Sequence, residues 1–453
     1  MGKQPAAVLP SPVEKTLANG VRVIVAKSTD LPLVSATLLF TTGAEGDAPG
    51  RSGTADLTAD LVAQGTTTRS ARDIARQTET LGADLEAGAG WEVSTVTLSV
   101  MANKLSAALP IMADVARNPT FAPDELERTR KQDLEGLEVA YENPGQVAGF
   151  AAAPLVYGPP FNHAANGTPA SLKRLTRDDV ARFHHDNWRP EGAILVLTGD
   201  ITPDRGFTLA QGAFGDWPRS PSPPPVVTPR PQEVPRAIAI DLPNTGQADV
   251  VVTKPAITRT DPRYYHGLVA NAVLGGGYSA RLNEEVRVRR GLSYGASSTL
   301  TARRHLGAFT AEAQTKNDAA PQVASLIKDE MASLAQTPPT ADELTARKSA
   351  LIGEYGRAVG TVAGLGNALA TLALYGIDLD EIGAYTDKVE AVDGDQVQAF
   401  AKAVLDPGQA SVLVVGDAKA FLPALKTALP NLVVIPIAEF DPDSPTLRSE
   451  AAK

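Results

Sequence analysis

The chain has 453 residues, of which 43% are hydrophobic and 21% are charged, and its formal net charge is −10. No apolar run approaches the ~18 residues of a membrane span, and no dense Lys/Arg cluster argues for nucleic acid or an anionic membrane as the main partner. Because the chain contains no cysteine, disulfides, thiolate nucleophiles and cysteine-ligated zinc are excluded.

The sequence does not determine the cellular compartment of the protein. The first residues have no apolar core after Lys3, so they do not read as a signal peptide. A signal removed before the numbering begins would leave no trace. We therefore expect a soluble, bacterial-type protein of either the periplasm or the cytoplasm, whose ligands are cationic or neutral.

In chain order, the N-terminal half mixes strands and helices. Strands are predicted at 20–26, 33–40, 91–101 and 193–200, and the first two are expected to be neighbours in one sheet. Apolar spacing and capping residues predict helices at 54–64, 70–81, 104–117, 123 to about 143, and 171–188.

The segment 218–235 contains eight prolines and is predicted to be an extended linker. The halves on either side repeat short motifs: Ser-Ala-Arg at 70–72 and 279–281, Asp-Glu-Leu at 124–126 and 342–344, and Gly-Asp at 199–200 and 416–417. Three matches in one order at nearly one offset indicate a duplicated domain. We predict an α+β fold of two tandem homologous domains, 10–217 and 236–440. Each is expected to be a mixed sheet covered by helices on one face, and the two to form a clamshell.

Several short segments in both halves carry a family resemblance. They are 53–66 (GTADLTADLVAQGT), 142–144 (ENP), 167–168 (GT), 189–190 (RP), 198–200 (TGD), 274–277 (LGGG), 279–282 (SARL) and 289–294 (RRGLSY). In this order they resemble the pitrilysin, or insulinase, family of zinc peptidases. That family includes the mitochondrial processing peptidases and the core proteins of respiratory complex III. The resemblance covers about residues 15 to 440.

The resemblance implies that the metal site is degenerate. Active members carry His-x-x-Glu-His, in which the histidines bind zinc and the glutamate activates water. The matching residues here are Asp56, Ala59 and Asp60, and the family's distal glutamate falls on Gly136, next to Glu135. We therefore predict no metal and no cofactor in this chain. Asp56 and Asp60 share a helix face, which leaves a hard cation as a less favoured alternative to an exposed acidic face. The histidines form no replacement ligand set, because two are adjacent and three are isolated: His184, His185, His163, His266 and His305.

The C-terminal half retains a second part of the family's site. The stretch 275–298 combines a glycine turn, a charged amphipathic helix and a strand-like exit. Family members place an arginine and a tyrosine seven residues apart here, where they hold the substrate carbonyl and stabilise the developing oxyanion. Arg287 and Tyr294 occupy these positions. In isolation, such residues more often belong to a solvated helix face and a half-buried strand.

We therefore predict a non-metal-binding subunit of a heteromeric zinc metallopeptidase that acts on peptides. The chain is expected to be inactive alone and to supply Arg287 and Tyr294 to the zinc site of a homologous partner subunit. The alternative is a catalytically inert structural or peptide-binding subunit of the complex III core type. The glycine stretch 275–277 is short, which argues against presequence processing.

Overall fold

The structure is a computed structural model, and it describes residues 9–158, 161–220, 231 and 236–449. Most of the predicted linker 218–235 therefore lies outside the described residues. The chain divides into two compact units. Unit 1 comprises Met1–Leu134, Ala165–Val227 and Glu354–Thr386, and unit 2 comprises Glu135–Ala164, Thr228–Gly353 and Asp387–Lys453.

The strands are β1 (Val13–Thr16), β2 (Arg22–Lys27), β3 (Leu33–Phe40), β4 (Asp84–Ala89), β5 (Ser94–Met101), β6 (Ala193–Gly199), β7 (Ala237–Asp241), β8 (Gln247–Ala256), β9 (Ser293–Thr301), β10 (Gly307–Lys316), β11 (Ser411–Gly416) and β12 (Val433–Pro436). The helices are α1 (Thr54–Val62), α2 (Ala71–Leu81), α3 (Leu105–Arg117), α4 (Pro123–Ala140), α5 (Pro144–Val156), α6 (Pro169–Arg174), α7 (Arg177–Asn187), α8 (Pro203–Phe214), α9 (Tyr264–Leu274), α10 (Arg281–Asn283), α11 (Ala320–Gln336), α12 (Ala341–Val359), α13 (Val362–Leu374), α14 (Glu381–Ala391), α15 (Gly394–Val404) and α16 (Ala418–Ala428). A π-helical segment, Glu284–Arg289, follows α10, and short 3₁₀ turns lie at Ala44–Gly46, Pro190–Gly192, Asn317–Ala319, Pro407–Gln409 and Ile437–Glu439.

Two mixed sheets of the same topology form the centres of the units. Within the described residues, the sheet of unit 1 has the strand order β1-β2-β6-β3-β5-β4, and that of unit 2 has the order β12-β7-β11-β8-β10-β9. Five consecutive strands correspond one to one in chain order, β2-β6-β3-β5-β4 in unit 1 and β7-β11-β8-β10-β9 in unit 2. Only the sixth strand differs, because β1 pairs antiparallel with β2 whereas β12 pairs parallel with β7. The predicted pair of mixed, helix-covered sheets is confirmed.

One predicted strand pairing is wrong. Strands β2 and β3 follow each other in the sequence, but β6 lies between them, parallel to β2 and antiparallel to β3. The reason is hydrophobicity, since β6 (AILVLTG) is buried at all seven positions. A strand that is apolar on both faces is most stable in the middle of a sheet.

Each sheet has helices from its own half of the chain on one face, and the opposite face is covered mainly by one helix from the other half. On the sheet of unit 1, α8 packs against the face that contains Val25 and Leu197, and α13 covers the other face through Leu365 and Leu369. On the sheet of unit 2, α5 covers the corresponding face. The segment 10–217 thus gives α5 to unit 2, and the segment 236–440 gives α13 to unit 1.

Local capping explains where the helices depart from the predicted bounds. The predicted helix 171–188 is two helices, because Thr176 forms a capping box with Asp179 and starts α7. The predicted helix from 123 to about 143 ends at Ala140, and Asn143 caps α5 with Pro144 in the first position. Among the described residues no single helix is long and apolar enough to cross a membrane; α12 and α13 reach that length and composition only together, across a bend of 108°.

Candidate functional site

The helix that we predicted to correspond to the family's zinc motif is α1. It starts after Gly53, whose φ of +85° favours glycine, and Asp47 accepts hydrogen bonds from the backbone N–H groups of Gly53 (2.8 Å) and Ala55 (2.9 Å). Asp56 is half-buried and accepts a 2.8 Å hydrogen bond from Asn166 Nδ2, whereas Ala59 is buried. The helix is therefore well anchored, but Ala59, the position predicted to match the general base, carries only a methyl group.

A third carboxylate, which the sequence analysis missed, acts on this helix. Burial, together with the charges of Asp56 and Asp133, raises the pKa of Asp60 to about 6. Burial and the charge of Asp56 likewise raise the pKa of Asp133 to about 6. Asp133 lies on α4, one helical turn before Gly136, so the i, i+3 spacing was the signal that could have found it. Gly136 itself is exposed and has no side chain.

These residues do not fit a catalytic zinc ion. Zinc sites of this type combine imidazoles with a carboxylate and a catalytic base, whereas α1 offers carboxylates that repel one another, with no base beside them. Within the described ranges, no group of three or more His, Cys, Asp or Glu residues is arranged to hold a metal. His184 has a structural contact instead: its Nε2 lies 2.9 Å from the carbonyl oxygen of Ala116, and burial lowers its pKa to about 4.

Arg287 lies in the π-helical segment of unit 2, a rare local structure that is frequent at functional sites. Leu282 and Val286 anchor this stretch in the core with fully buried side chains. The Arg287 side chain is half-buried, and its Cζ lies 4.8 Å from the ring centroid of Tyr278. This cation–π contact orients the guanidinium without neutralising its charge.

The other arginines of the segment are paired with acids. Arg281 forms a bidentate ion pair with Glu343 at 2.7 and 2.9 Å. Arg289 and Arg290, whose side chains are largely exposed, contact Glu285 at 3.3 and 2.7 Å. Arg287 has no such carboxylate within the part of the chain that the structure describes. Its charge is therefore available to a ligand.

Arg287 lines a cavity of about 480 Å³ in unit 2, together with Tyr278, Asn283, Asp249 and Glu312. Asn283 is only 3% exposed. Its Nδ2 donates to the carbonyl oxygen of Tyr278 (2.5 Å), and its Oδ1 accepts from the backbone N–H of Ala296 (3.2 Å). Asn283 thus joins the glycine turn, the π-helical segment and β9 into one support for Arg287.

Tyr294 lies at the start of β9, which is the edge strand of its sheet, and is 87% exposed. The register with β10 shifts between Ala313 and Thr315, so two residues of β9, Tyr294 and Gly295, lie opposite one residue of β10, Gln314. Such β-bulges redirect side chains near functional sites. The described residues show no hydrogen bond or ring contact between Tyr294 and Arg287, so the structure brings the two onto neighbouring elements without joining them.

The pair of mixed sheets agrees with comparisons to known proteins. The family model described as insulinase (peptidase family M16) matches residues 22–151, and that described as peptidase M16 inactive domain matches residues 174–351. The chain belongs to the peptidase M16 family of insulinase- and pitrilysin-like proteins, which confirms the family resemblance found in the sequence.

Relatives and solved structures cover most of the chain. An uncharacterized zinc protease of Streptomyces coelicolor is 25% identical over 424 residues, 89% of each chain. The crystal structure of a peptidase M16 inactive domain from Pseudomonas fluorescens is 27% identical, with a TM-score of 0.84 over 90% of this chain and 98% of that one. A protease from Helicobacter pylori shares the fold, with a TM-score of 0.85 over 90% of this chain and 100% of that one, at 18% identity.

Proposed function

We propose that this chain is the non-metal-binding subunit of a heteromeric zinc metallopeptidase. In this proposal, Arg287 and Tyr294 act on a peptide that is bound at the zinc site of a homologous partner subunit. Support comes from the match to the inactive-domain model, from relatives named zinc proteases and from a metal-site helix without imidazoles.

The observation that carries the proposal is the state of Arg287. Its neighbours Arg281, Arg289 and Arg290 are paired with acids, while Arg287 opens onto a cavity with no ion-pair partner among the described residues. A structural arginine in an acidic chain is normally paired, because leaving a half-buried charge uncompensated is unfavourable. An arginine kept unpaired beside a cavity is suited to bind a carbonyl or carboxylate oxygen.

The chemistry assigned to the two side chains is oxyanion stabilisation. A guanidinium donates several hydrogen bonds with a permanent charge, and a phenol adds one donor. Both interactions strengthen when negative charge develops on the peptide carbonyl oxygen, so they lower the transition-state energy more than that of the bound peptide. The exposure of Tyr294 suits a group that contacts its ligand only in the assembled complex.

The experiment starts by copurifying the chain from its native source and sequencing the associated subunit. Turnover of a fluorogenic peptide is then measured for complexes reconstituted with Arg287→Ala, Tyr294→Phe, Arg289→Ala or Arg290→Ala. Loss of one oxyanion donor typically lowers turnover by about 10²–10³-fold, or about 3–4 kcal/mol, and this loss is expected for the first two variants only. Assembly and zinc content, followed by size-exclusion chromatography and elemental analysis, should stay unchanged. Full turnover in both site variants would favour the inert, core-type subunit instead.

A further inference from the structure

We infer that Arg347, on α12, is a positioning residue for Arg287, and that it acts by holding the turn that carries Tyr278. The expected effect on turnover rests on the proposed function. The effect on the Arg287 side chain does not, because it can be measured in this chain alone.

The turn before the π-helical segment needs a support outside its own backbone. Three consecutive glycines, 275–277, precede Tyr278, and glycine restricts the backbone less than any other residue. The Tyr278 side chain is 68% exposed, so core packing does not hold it. Its ring nevertheless lies 4.8 Å from the Cζ of Arg287. This contact persists only if the backbone of Tyr278 is fixed, and the hydrogen bond from Asn283 fixes its carbonyl group alone.

Arg347 provides a support on both sides of Tyr278. Its Nη2 donates a hydrogen bond to the Oγ of Ser279. On the other side, a Cβ added to Gly277 would lie 3.1 Å from its Nη1, so any larger residue at this position would crowd the guanidinium. The Arg347 guanidinium therefore lies against the residues before and after Tyr278.

A second contact keeps α12 beside the same turn. Glu343 precedes Arg347 by one helical turn, so the two side chains share a face of α12. Glu343 forms the bidentate ion pair with Arg281 at 2.7 and 2.9 Å, and the two side chains are 24% and 17% exposed. Two neighbouring side chains of α12 thus hold the segment that leads to Arg287.

The buried charge of Arg347 argues for more than general packing. Arg347 is only 9% exposed, and among the described residues its hydrogen bond is to the neutral hydroxyl of Ser279. Burial of a guanidinium without a carboxylate partner costs free energy, so an apolar side chain would serve stability better. The planar guanidinium is suited to this place because it can donate to Ser279 and lie flat against Gly277 at once.

The first test measures the reactivity of Arg287 in the full chain alone. Phenylglyoxal modifies arginine side chains, and peptide mass spectrometry gives the rate at each position. In Arg347→Met, which keeps an unbranched stem and loses the donors, Arg287 should react about threefold faster, because the ring of Tyr278 no longer covers it. Tyr278→Ala should give the same increase. The control Arg357→Met replaces an exposed arginine of the same helix and should leave the rate unchanged.

A gentler variant guards against loss of folding. Ser279→Ala removes only the acceptor hydroxyl at an exposed position, and it should raise the reactivity of Arg287 in the same direction as Arg347→Met. Circular dichroism verifies that each variant is folded.

The second test measures turnover in the reconstituted complex. Arg347→Met should lower kcat about tenfold, because a misplaced donor loses its effect on the transition state, and KM should change little. Added to Arg287→Ala, the same substitution should have no further effect. A general loss of stability would instead lower turnover equally in both backgrounds.

The outcomes separate this inference from the proposed function. Unchanged reactivity of Arg287 in the folded variants Arg347→Met and Ser279→Ala, or an equal loss of kcat with and without Arg287→Ala, would overturn the inference. If the reactivity rises but Arg287→Ala itself leaves turnover unchanged, the positioning role stands and the proposed function fails.

Discussion

Replacing Asp133 with asparagine should stabilise unit 1 at neutral pH. In the folded chain, burial and the charge of Asp56 raise the Asp133 pKa from its ordinary value of 3.8 to about 6. Folding thus disfavours the ionised form of Asp133, so ionisation of this side chain lowers the stability of the folded state. Asparagine keeps the shape of the side chain and removes the charge.

The magnitude follows from linkage between protonation and folding. The difference between about 6 and 3.8 corresponds to about 3 kcal/mol at about 1.4 kcal/mol per pH unit. Because the side chain is only half-buried, we expect solvent screening to reduce this to about 1 kcal/mol. Between pH 4 and pH 6 the folded state binds more protons than the unfolded state, so wild-type stability falls as the pH rises. The advantage of Asp133→Asn is therefore complete at pH 7.5 and smaller at pH 4.5.

Tryptophan fluorescence reports on this unit selectively, because the chain's three tryptophans, Trp91, Trp188 and Trp217, lie in segments of unit 1. Urea unfolding at pH 7.5 and pH 4.5 would be compared for wild type, Asp133→Asn and the control Glu138→Gln. A variant that is no more stable than the control at pH 7.5 refutes the reasoning. A divalent cation that stabilises the wild type but not Asp133→Asn would instead reveal a bound ion among these aspartates.

Two further predictions concern the site. Asn283→Ala removes two hydrogen bonds and leaves the Ala296 N–H buried without its partner, so the free energy of unfolding should fall by about 2 kcal/mol. Because Asn283 acts through Arg287, adding Asn283→Ala to Arg287→Ala should lower the turnover of the complex little further. An additive loss in turnover would contradict this. The purified chain should bind no zinc and hydrolyse no peptide alone; one zinc per chain by elemental analysis after dialysis, with chelator-sensitive activity, would be incompatible with the degenerate site.

Periodicity and caps predicted most elements of the N-terminal half, because helix spacing and capping are local properties. The position of β6 between β2 and β3 could not be predicted locally, since strand order depends on which strand gains most by burial on both faces. The same holds for α5 and α13. Neither helix was predicted from the sequence, and no local pattern specifies which sheet a helix will cover.

In the candidate site, too, some features could be predicted from the sequence and others could not. Alignment with the family identified Arg287, Tyr294 and the degenerate positions of α1, because these depend on the order of residues alone. The unpaired state of Arg287, the support from Asn283 and the raised pKa of Asp133 depend on side chains that are distant in sequence. Such contacts follow only from the packed structure.

The exchange of α5 and α13 between the sheets sets an order of events during synthesis. The sheet of unit 1 cannot bury its second face until residues 362–374 have left the ribosome, although its last strand, β6, ends at Gly199. About 160 residues of chain must therefore be made while that apolar face is exposed, a situation that favours aggregation or chaperone binding. A chain cut within the segment 218–235 would leave each fragment lacking one helix of its core, so the fragments should fold together when coexpressed and remain insoluble when expressed separately.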